Sequence, residues 1–557
     1  MVYRYYYLVL TVEFLKFLKI TIATSLVTVT LFMAPWWVYH PYSLPKLLPL
    51  STFGLGALMI ITKNISWIWL QNFKVIIILT AVFIFWSLIT LIFTDGNFFQ
   101  KFYGIDGRNT GFLAYFSLSI LLLGAAISID QNSIKVITSL AIILGLISIA
   151  YSIFQAFGFF KLTYLQSDTN IAPGFLGNVN FQSAFIGMVC TVALSQFLSS
   201  KSSSILKVFY FLFIVFGLYA ISLINSQQGF FVMASGITIV LLIYLKTLKH
   251  KLLTWSVMAL SFSGFILTAF ATQQIGPLTK YIYEQSISNR GFYWTAGLKM
   301  FLDNPIFGIG FDSYRDWYFR KRTSESIKIL GPNDFAENAH NIFIDIAASG
   351  GTILIVTYIL LNAYIFKCAI YIIKHTKKFD SNIAAVCGAW IAFNVQSVIS
   401  INQLGLSIWG WILGGSIIGY RLKLQEVSNM TKQPKVKPKF SFIWSTGLIL
   451  GIILVIFPLK NSYGYRLAIE NQDLLGLKKT ALSKPYNAQL MTATVPVFVS
   501  NNLPDTALEI ALAATKAFPD YFAAWYEFSK IPKISIEELN QANLEMVRLN
   551  PSSINDK

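Results

Sequence analysis

The residue of this chain best placed to do chemistry is a histidine at the join between a polar loop and a long apolar run. The stretch ENAHNIFIDIAASGG, Glu337 to Gly351, carries it as His340, one of four histidines in 557 residues. An imidazole can take up or release a proton near neutral pH. A polar group at membrane depth is costly unless it lines a cavity, so such groups tend to have a function. The other three histidines have plainer settings. His250 and His375 lie among lysines at helix ends, and His40 follows an aromatic cluster.

The loop ahead of His340 is rich in arginine. It contains NRGFYWTAGLKMFLDNPIFGIG, Asn289 to Gly310. Arg290 begins an amphipathic helix whose Tyr293, Leu298 and Phe301 face the membrane, Asn304-Pro305 stops it, and Gly308 and Gly310 permit a tight bend. A second cationic cluster follows at Arg315, Arg320, Lys321 and Arg322. The planar guanidinium fork matches phosphate oxygens bidentately. Arginines beside a histidine can therefore hold a diphosphate leaving group while the imidazole deprotonates an attacking hydroxyl. The competing reading is that these are solvated loop charges balanced by Asp303, Asp312 and Asp316.

The elements that must position these residues are membrane helices. Mean hydropathy is +0.60, and only 12% of residues are charged, against about 25% in a soluble globular chain. The expected fold class is all-α, a polytopic membrane helix bundle with a long external loop and a C-terminal helical domain. Thirteen apolar runs can span a bilayer, near 20–39, 44–62, 75–93, 109–129, 134–157, 180–198, 205–224, 229–246, 252–271, 341–373, 383–400, 404–420 and 441–459. The first lacks a small-residue cleavage site and reads as an anchor. Twenty lysines and arginines flank these runs on the N-terminal side of the membrane, Lys135 and Lys374 among them. Four, Lys46, Lys101, Arg108 and Lys161, lie in short loops on the other. That bias puts the N-terminus in the cytoplasm and the large loop and C-terminal region outside. The net charge of +18 then sits at the cytoplasmic membrane surface and does not indicate nucleic-acid binding. Cys190, Cys368 and Cys387 fall inside apolar runs without metal-ligand or disulfide spacing.

The chain divides into a membrane unit, 1–459, which includes the external loop 272–340, and an external helical domain, 460–557. A basic, proline-containing linker, Arg421 to Lys439, precedes the last span. In the tail, prolines at 485, 519 and 551 are spaced 34 and 32 residues apart with helical stretches between them. A repeat near that length suggests tetratricopeptide-like units, whose stacked hairpins offer a concave surface to a protein partner. An ordinary helical bundle with prolines between its helices is the alternative.

Three passages resemble the O-antigen ligase and polymerase superfamily of bacterial membrane glycosyltransferases, in particular its members with C-terminal tetratricopeptide repeats. NRGFYWTAGLKMFLDNPIFGIG resembles an Arg-x-x-x-Trp helix ending in Pro-x-x-Gly-x-Gly. ENAHNIFIDIAASGG resembles a His-Asn motif, and GFLGNVNF at 174–181 resembles a Gly-Asn-Pro-Asn turn opening a span. GRNTGFLAY at 107–115 is a weaker fourth match. The resemblance implies a metal-independent, inverting transferase that needs no cofactor. It would act on an undecaprenyl-diphosphate-linked glycan at the outer face of the inner membrane, with a lipid, glycan or protein as acceptor. Carried over by motif, His340 is the base toward the acceptor hydroxyl and Arg290 holds the diphosphate. Arg108 is a second lipid-phosphate contact, and Asn341 supports the histidine.

The departures are specific. Where many members have Ser-Arg-Gly at the start of a middle span, this chain has NSQQGFF, with Gln227 in place of the arginine. Either Arg320 or Arg322 then supplies the missing charge, or the donor is bound differently, or the activity is reduced. Asn338 stands where an arginine often precedes the histidine, and Val179 replaces the proline of the Gly-Asn-Pro-Asn turn. Within the family, lipopolysaccharide ligation, repeat-unit polymerisation and protein O-glycosylation all remain open. A transporter or flippase of lipid-linked glycans and a catalytically idle scaffold are the readings outside it.

Overall fold

Backbone amides in hydrocarbon have no water to bond, so a chain that crosses it must satisfy them within helices. The computed structural model does this throughout. It describes residues 2–64, 73–160, 172–272, 275–276, 279–282, 288–426, 442–532 and 534–551, and among these there is no strand. Thirteen long helices carry the architecture: α1 (Val2–Leu31), α2 (Ser43–Lys63), α3 (Lys74–Phe93), α4 (Phe112–Ser128), α5 (Gln131–Ala156), α6 (Val179–Phe197), α7 (Ser204–Ile224), α8 (Gln227–Thr247), α9 (Lys251–Thr272), α10 (Ile342–His375), α11 (Ser381–Ile399), α12 (Leu404–Glu426) and α13 (Phe442–Glu470). Ten of the described helices are long and apolar enough to cross a membrane. The other three of this set, α4, α6 and α12, are buried along most of their length in the centre of the bundle. Neighbouring helices shield them from lipid, so they tolerate the serines, glycines and glutamines that lower their hydropathy.

Local chemistry sets the helix ends. Asp130, Asn178, Ser203 and Asp380 each accept a backbone N–H in the first turn of α5, α6, α7 and α11. Gly447 and Gly451 let α13 lie directly on α2: a Cβ on Gly451 would stand 2.4 Å from Thr52 Cα. The first span is displaced from the expected 20–39. Helix α1 ends at Leu31 because Pro35 and Pro41 disfavour helix before them, and Trp36 and Trp37 are exposed in the connection to α2. Lys46, expected in a short loop, is instead fully buried in the first turn of α2. Its ammonium donates to Val29 O at 2.9 Å, Thr30 O at 2.8 Å and Phe32 O at 3.0 Å, closing the C-terminal end of α1.

The expected external loop begins after α9, and the basic linker ahead of α13 lies largely in 427–441, outside the described residues, as does Lys161. Among the described residues, four short helices, Thr279–Ile282, Arg290–Asp303, Tyr314–Lys321 and Ser324–Leu330, lie in the loop. Beyond the membrane unit, α13 runs unbroken past Leu459 to Glu470 with Pro458 inside it. The tail helices Leu474–Ala481, Ala488–Ser500, Pro504–Ala517, Phe522–Ser529 and Ile536–Leu549 pack on one another around Met491, Ile510, Ala511 and Phe528.

Replacing Lys46 with methionine leaves three carbonyls at the end of α1 without their donor. We expect a loss of about 2 kcal/mol or more, read as a lowered Tm of the detergent-solubilised protein. An unchanged Tm would show those carbonyls satisfied in another way.

Candidate functional site

Helix α10 is interrupted. Gly351 has φ +70° within it, and a Cβ there would come within 2.1 Å of Ile306 O. Such a break strands backbone groups, and the segment 305–310 takes them up. Ile309 N donates to Ala348 O at 2.8 Å, Gly310 N to Ser349 O at 3.0 Å, and Thr352 N to Pro305 O at 2.7 Å. Trp86 Nε1 donates to Gly350 O at 2.9 Å. Gly308 and Gly310, at φ +71° and +95°, make the expected bend, and the helix before it starts at Arg290 and ends at Asp303. This splice joins the two arginine- and histidine-bearing segments as one unit.

His340 sits in the turn that opens α10. Its φ is +54°, and the turn is held from both sides. Asn341 caps α10 by accepting from Phe343 N at 2.9 Å and Ile344 N at 3.2 Å, and Asp345 Oδ1 accepts from Ala339 N at 2.6 Å. The imidazole is partly buried and lies 5.5 Å from the Tyr293 ring, centroid to centroid, at 31°. Tyr293, expected on the membrane, thus forms a platform for it. Burial pushes the His340 pKa down from 6.5 to about 3, with the positive charges of Arg290 and Arg108 adding to the effect. The ring is therefore neutral at physiological pH.

The same effect locates the two arginines. Arg290 is buried and its guanidinium donates to the carbonyl of Ile399 at the end of α11. Arg108 pairs through Nε with Glu337 at 2.9 Å, three residues before His340 in sequence. Asp312 builds the Arg108 turn, accepting from Ile105 N at 3.0 Å, Thr110 N at 3.1 Å and Thr110 Oγ1 at 2.7 Å. Burial raises the Asp312 pKa. Its role is internal bracing, while the loop charges are balanced by Lys321–Asp303 at 2.6 Å and Arg315–Asp316 at 3.6 Å.

Other expected residues lie elsewhere. Arg320 pairs with Asp520 at 3.4 Å, and Arg322 donates to Pro332 O at 2.8 Å and to Asn550 Oδ1 at 3.1 Å. Arg315 stacks 4.0 Å over the Tyr521 ring, and Phe319 meets Phe522 at 5.3 Å. This cluster fastens the loop to the tail and is not directed at His340. Gln227 is the first residue of α8, next to Ser226, whose hydroxyl bonds Asn180 at 2.8 Å and Ser183 at 2.9 Å.

A cavity of about 280 Å³ adjoins the site, lined by Arg108, Asn178, Asn402, Gln403, Tyr42 and His40. Asn178 comes from the Gly-Asn-Val-Asn turn. His40 had no signal in the sequence, since its neighbours there are aromatic and its partners are Gly107 and Asp106.

Replacing Asn341 with alanine removes the cap of α10. We expect a cost of about 1 kcal/mol and faster hydrogen exchange at the amides of Phe343 and Ile344. Unchanged exchange at those two amides would mean that the cap does not hold the His340 turn.

A search of curated proteins finds no match for the chain. Residues 212–359 match the family model described as O-antigen ligase, a stretch that contains Gln227, Arg290, Arg320, Arg322, His340 and Asn341 but neither Arg108 nor His40. With its bundle of apolar helices around that stretch, the chain is a multi-pass membrane protein carrying a domain of the O-antigen ligase/polymerase superfamily.

Proposed function

We propose that the protein is a glycosyltransferase that moves glycan from an undecaprenyl-diphosphate carrier to an acceptor hydroxyl at the outer face of a bacterial inner membrane. The observation that carries this reading is the convergence of two guanidinium charges, Arg290 and Arg108, on one neutral imidazole at a membrane helix end. A neutral imidazole can accept a proton, and the two arginines suit a diphosphate. Among the described residues His340 has no hydrogen bond to either ring nitrogen, which leaves both for substrate.

These placements support the following reaction. The acceptor oxygen attacks the anomeric carbon of the donor sugar from the face opposite the diphosphate, so configuration inverts. As the new C–O bond forms, His340 takes the hydroxyl proton. The bond from the anomeric carbon to the phosphate oxygen breaks, and the electron pair leaves on the diphosphate. Arg290 and Arg108 offset the charge that accumulates there. The bound diphosphate also offsets the positive field of both arginines at His340, which makes the imidazole a stronger base once donor is in place. The tail, fastened to the loop through Arg315, Arg320 and Arg322, supplies the surface nearest the loop for presenting an acceptor.

Replacing His340 with alanine should lower kcat by about 100-fold or more with little change in donor binding. Replacing Arg290 with alanine should lower kcat/KM for the donor by about 100-fold. Transfer of glycan from undecaprenyl diphosphate in membranes measures both, and folded variants that retain full transfer would sink the reading.

The pH profile gives a separate check. Because the free enzyme protonates His340 near 3 and not near 6.5, its base form is present on both sides of 6.5. The profile of kcat/KM should therefore show no acid limb near 6.5. The same residue favours the unfolded chain as pH falls from 6.5 toward 3, since in that window the unfolded imidazole holds more protons.

A further inference from the structure

The proposed diphosphate site draws on Arg290 and Arg108, while Arg320 and Arg322 are engaged with the tail. The cavity beside Arg108 offers a further contact. Of its lining side chains, among the described residues, only Arg108 and His40 can carry positive charge. The His40 ring lies over Gly107, next to Arg108 in the chain, with Nδ1 3.7 Å from where a Cβ on Gly107 would stand. Its Nε2 is 3.8 Å from Asp106 Oδ2. The Asp106 side chain is only 2% exposed, and Oδ2 has no hydrogen bond among the described residues. Asp106 does not line the cavity, whereas His40 does. The His40 ring thus lines the cavity with a buried carboxylate 3.8 Å from its Nε2.

We propose that His40 is a second side-chain hydrogen-bond donor to the diphosphate in this cavity, beside Arg108. This rests on the reading above that the site binds a lipid-linked diphosphate. A ring nitrogen that bears a proton can donate it to a phosphate oxygen, with the Asp106 carboxylate 3.8 Å from Nε2. His40 is a binding residue that acts on the leaving group, separate from His340, which acts on the acceptor. The segment that carries it is braced from the tail: Tyr39 N donates to Ser462 Oγ at 3.0 Å and the Tyr39 ring meets Tyr465 at 5.3 Å, edge to face. Placement of His40 thus depends on α13 extending past the membrane unit.

The test compares undecaprenyl diphosphate with undecaprenol, which shares the lipid chain but has no phosphate. Both are titrated onto the full-length protein in nanodiscs. His40→Gln is expected to weaken undecaprenyl diphosphate binding by about 10-fold or more and to leave undecaprenol within about 2-fold, because only a contact to the charged group is lost. His40→Arg, which supplies N–H donors at the same place, should restore affinity for the diphosphate lipid to within about 3-fold of the parent. Equal weakening of both lipids by His40→Gln would mean a structural role and overturn the inference. So would undiminished diphosphate binding by His40→Gln when Arg290→Ala and Arg108→Ala weaken it, and that result would leave the site reading standing. If neither arginine variant weakens binding, the site reading itself fails. Inorganic diphosphate, titrated in parallel, should bind much more weakly than the lipid. Equal affinity would point to a site for free diphosphate instead.

Discussion

An interrupted membrane helix must find other partners for the backbone groups it strands, and in α10 that requirement organises the molecule. At Gly351 the carbonyls of Ala348, Ser349 and Gly350 lose their helical donors and are taken by Ile309 N, Gly310 N and Trp86 Nε1. An unsatisfied backbone group in hydrocarbon would cost several kcal/mol, so the splice is rigid. It ties the helix that begins at Arg290 to the helix that His340 opens. Asp312, immediately after the splice, then holds the turn that carries Arg108. Three charged or titratable groups from distant parts of the chain are positioned through this one set of backbone bonds.

Electrostatics at the site follows from that placement. Burial, with the charges of Arg290 and Arg108 adding to it, keeps the His340 imidazole neutral, and an arriving anion would relax part of that pressure. The arrangement disfavours a proton on the ring, and any anion held between the groups would ease that. The arginines of the second loop cluster take no part in this. Their partners are carbonyls, aromatic rings and carboxylates shared with the tail, and they make the loop and the tail one surface.

The tail also reaches the membrane unit through the connection between α1 and α2, where Tyr39 and Ser462 meet. That connection carries His40, and Asn97, close to the Arg108 turn, donates to Ala517 O at 3.0 Å. Contacts on both sides of the cavity therefore run through helices that lie outside the bundle.

Sequence by itself determined the class of the protein and its helices. Apolar run length specifies a spanning helix because hydrocarbon thickness is fixed, and the Arg290 helix was legible because its start and its stop are contiguous. Asn304-Pro305 acts where the sequence puts it, while the cap that Asn341 gives α10 emerged only from the fold. Only the tertiary structure decided the rest. The role of Arg320 and Arg322 depends on Asp520 and Asn550, each about 200 or more residues away in sequence, and the burial of Lys46 depends on the end of α1. His40 becomes visible only when Gly107 and Asp106 are folded against it. A charged side chain reads the same in sequence whether it meets water, a carbonyl or a ligand, and its partner, supplied by packing, sets which of these it does.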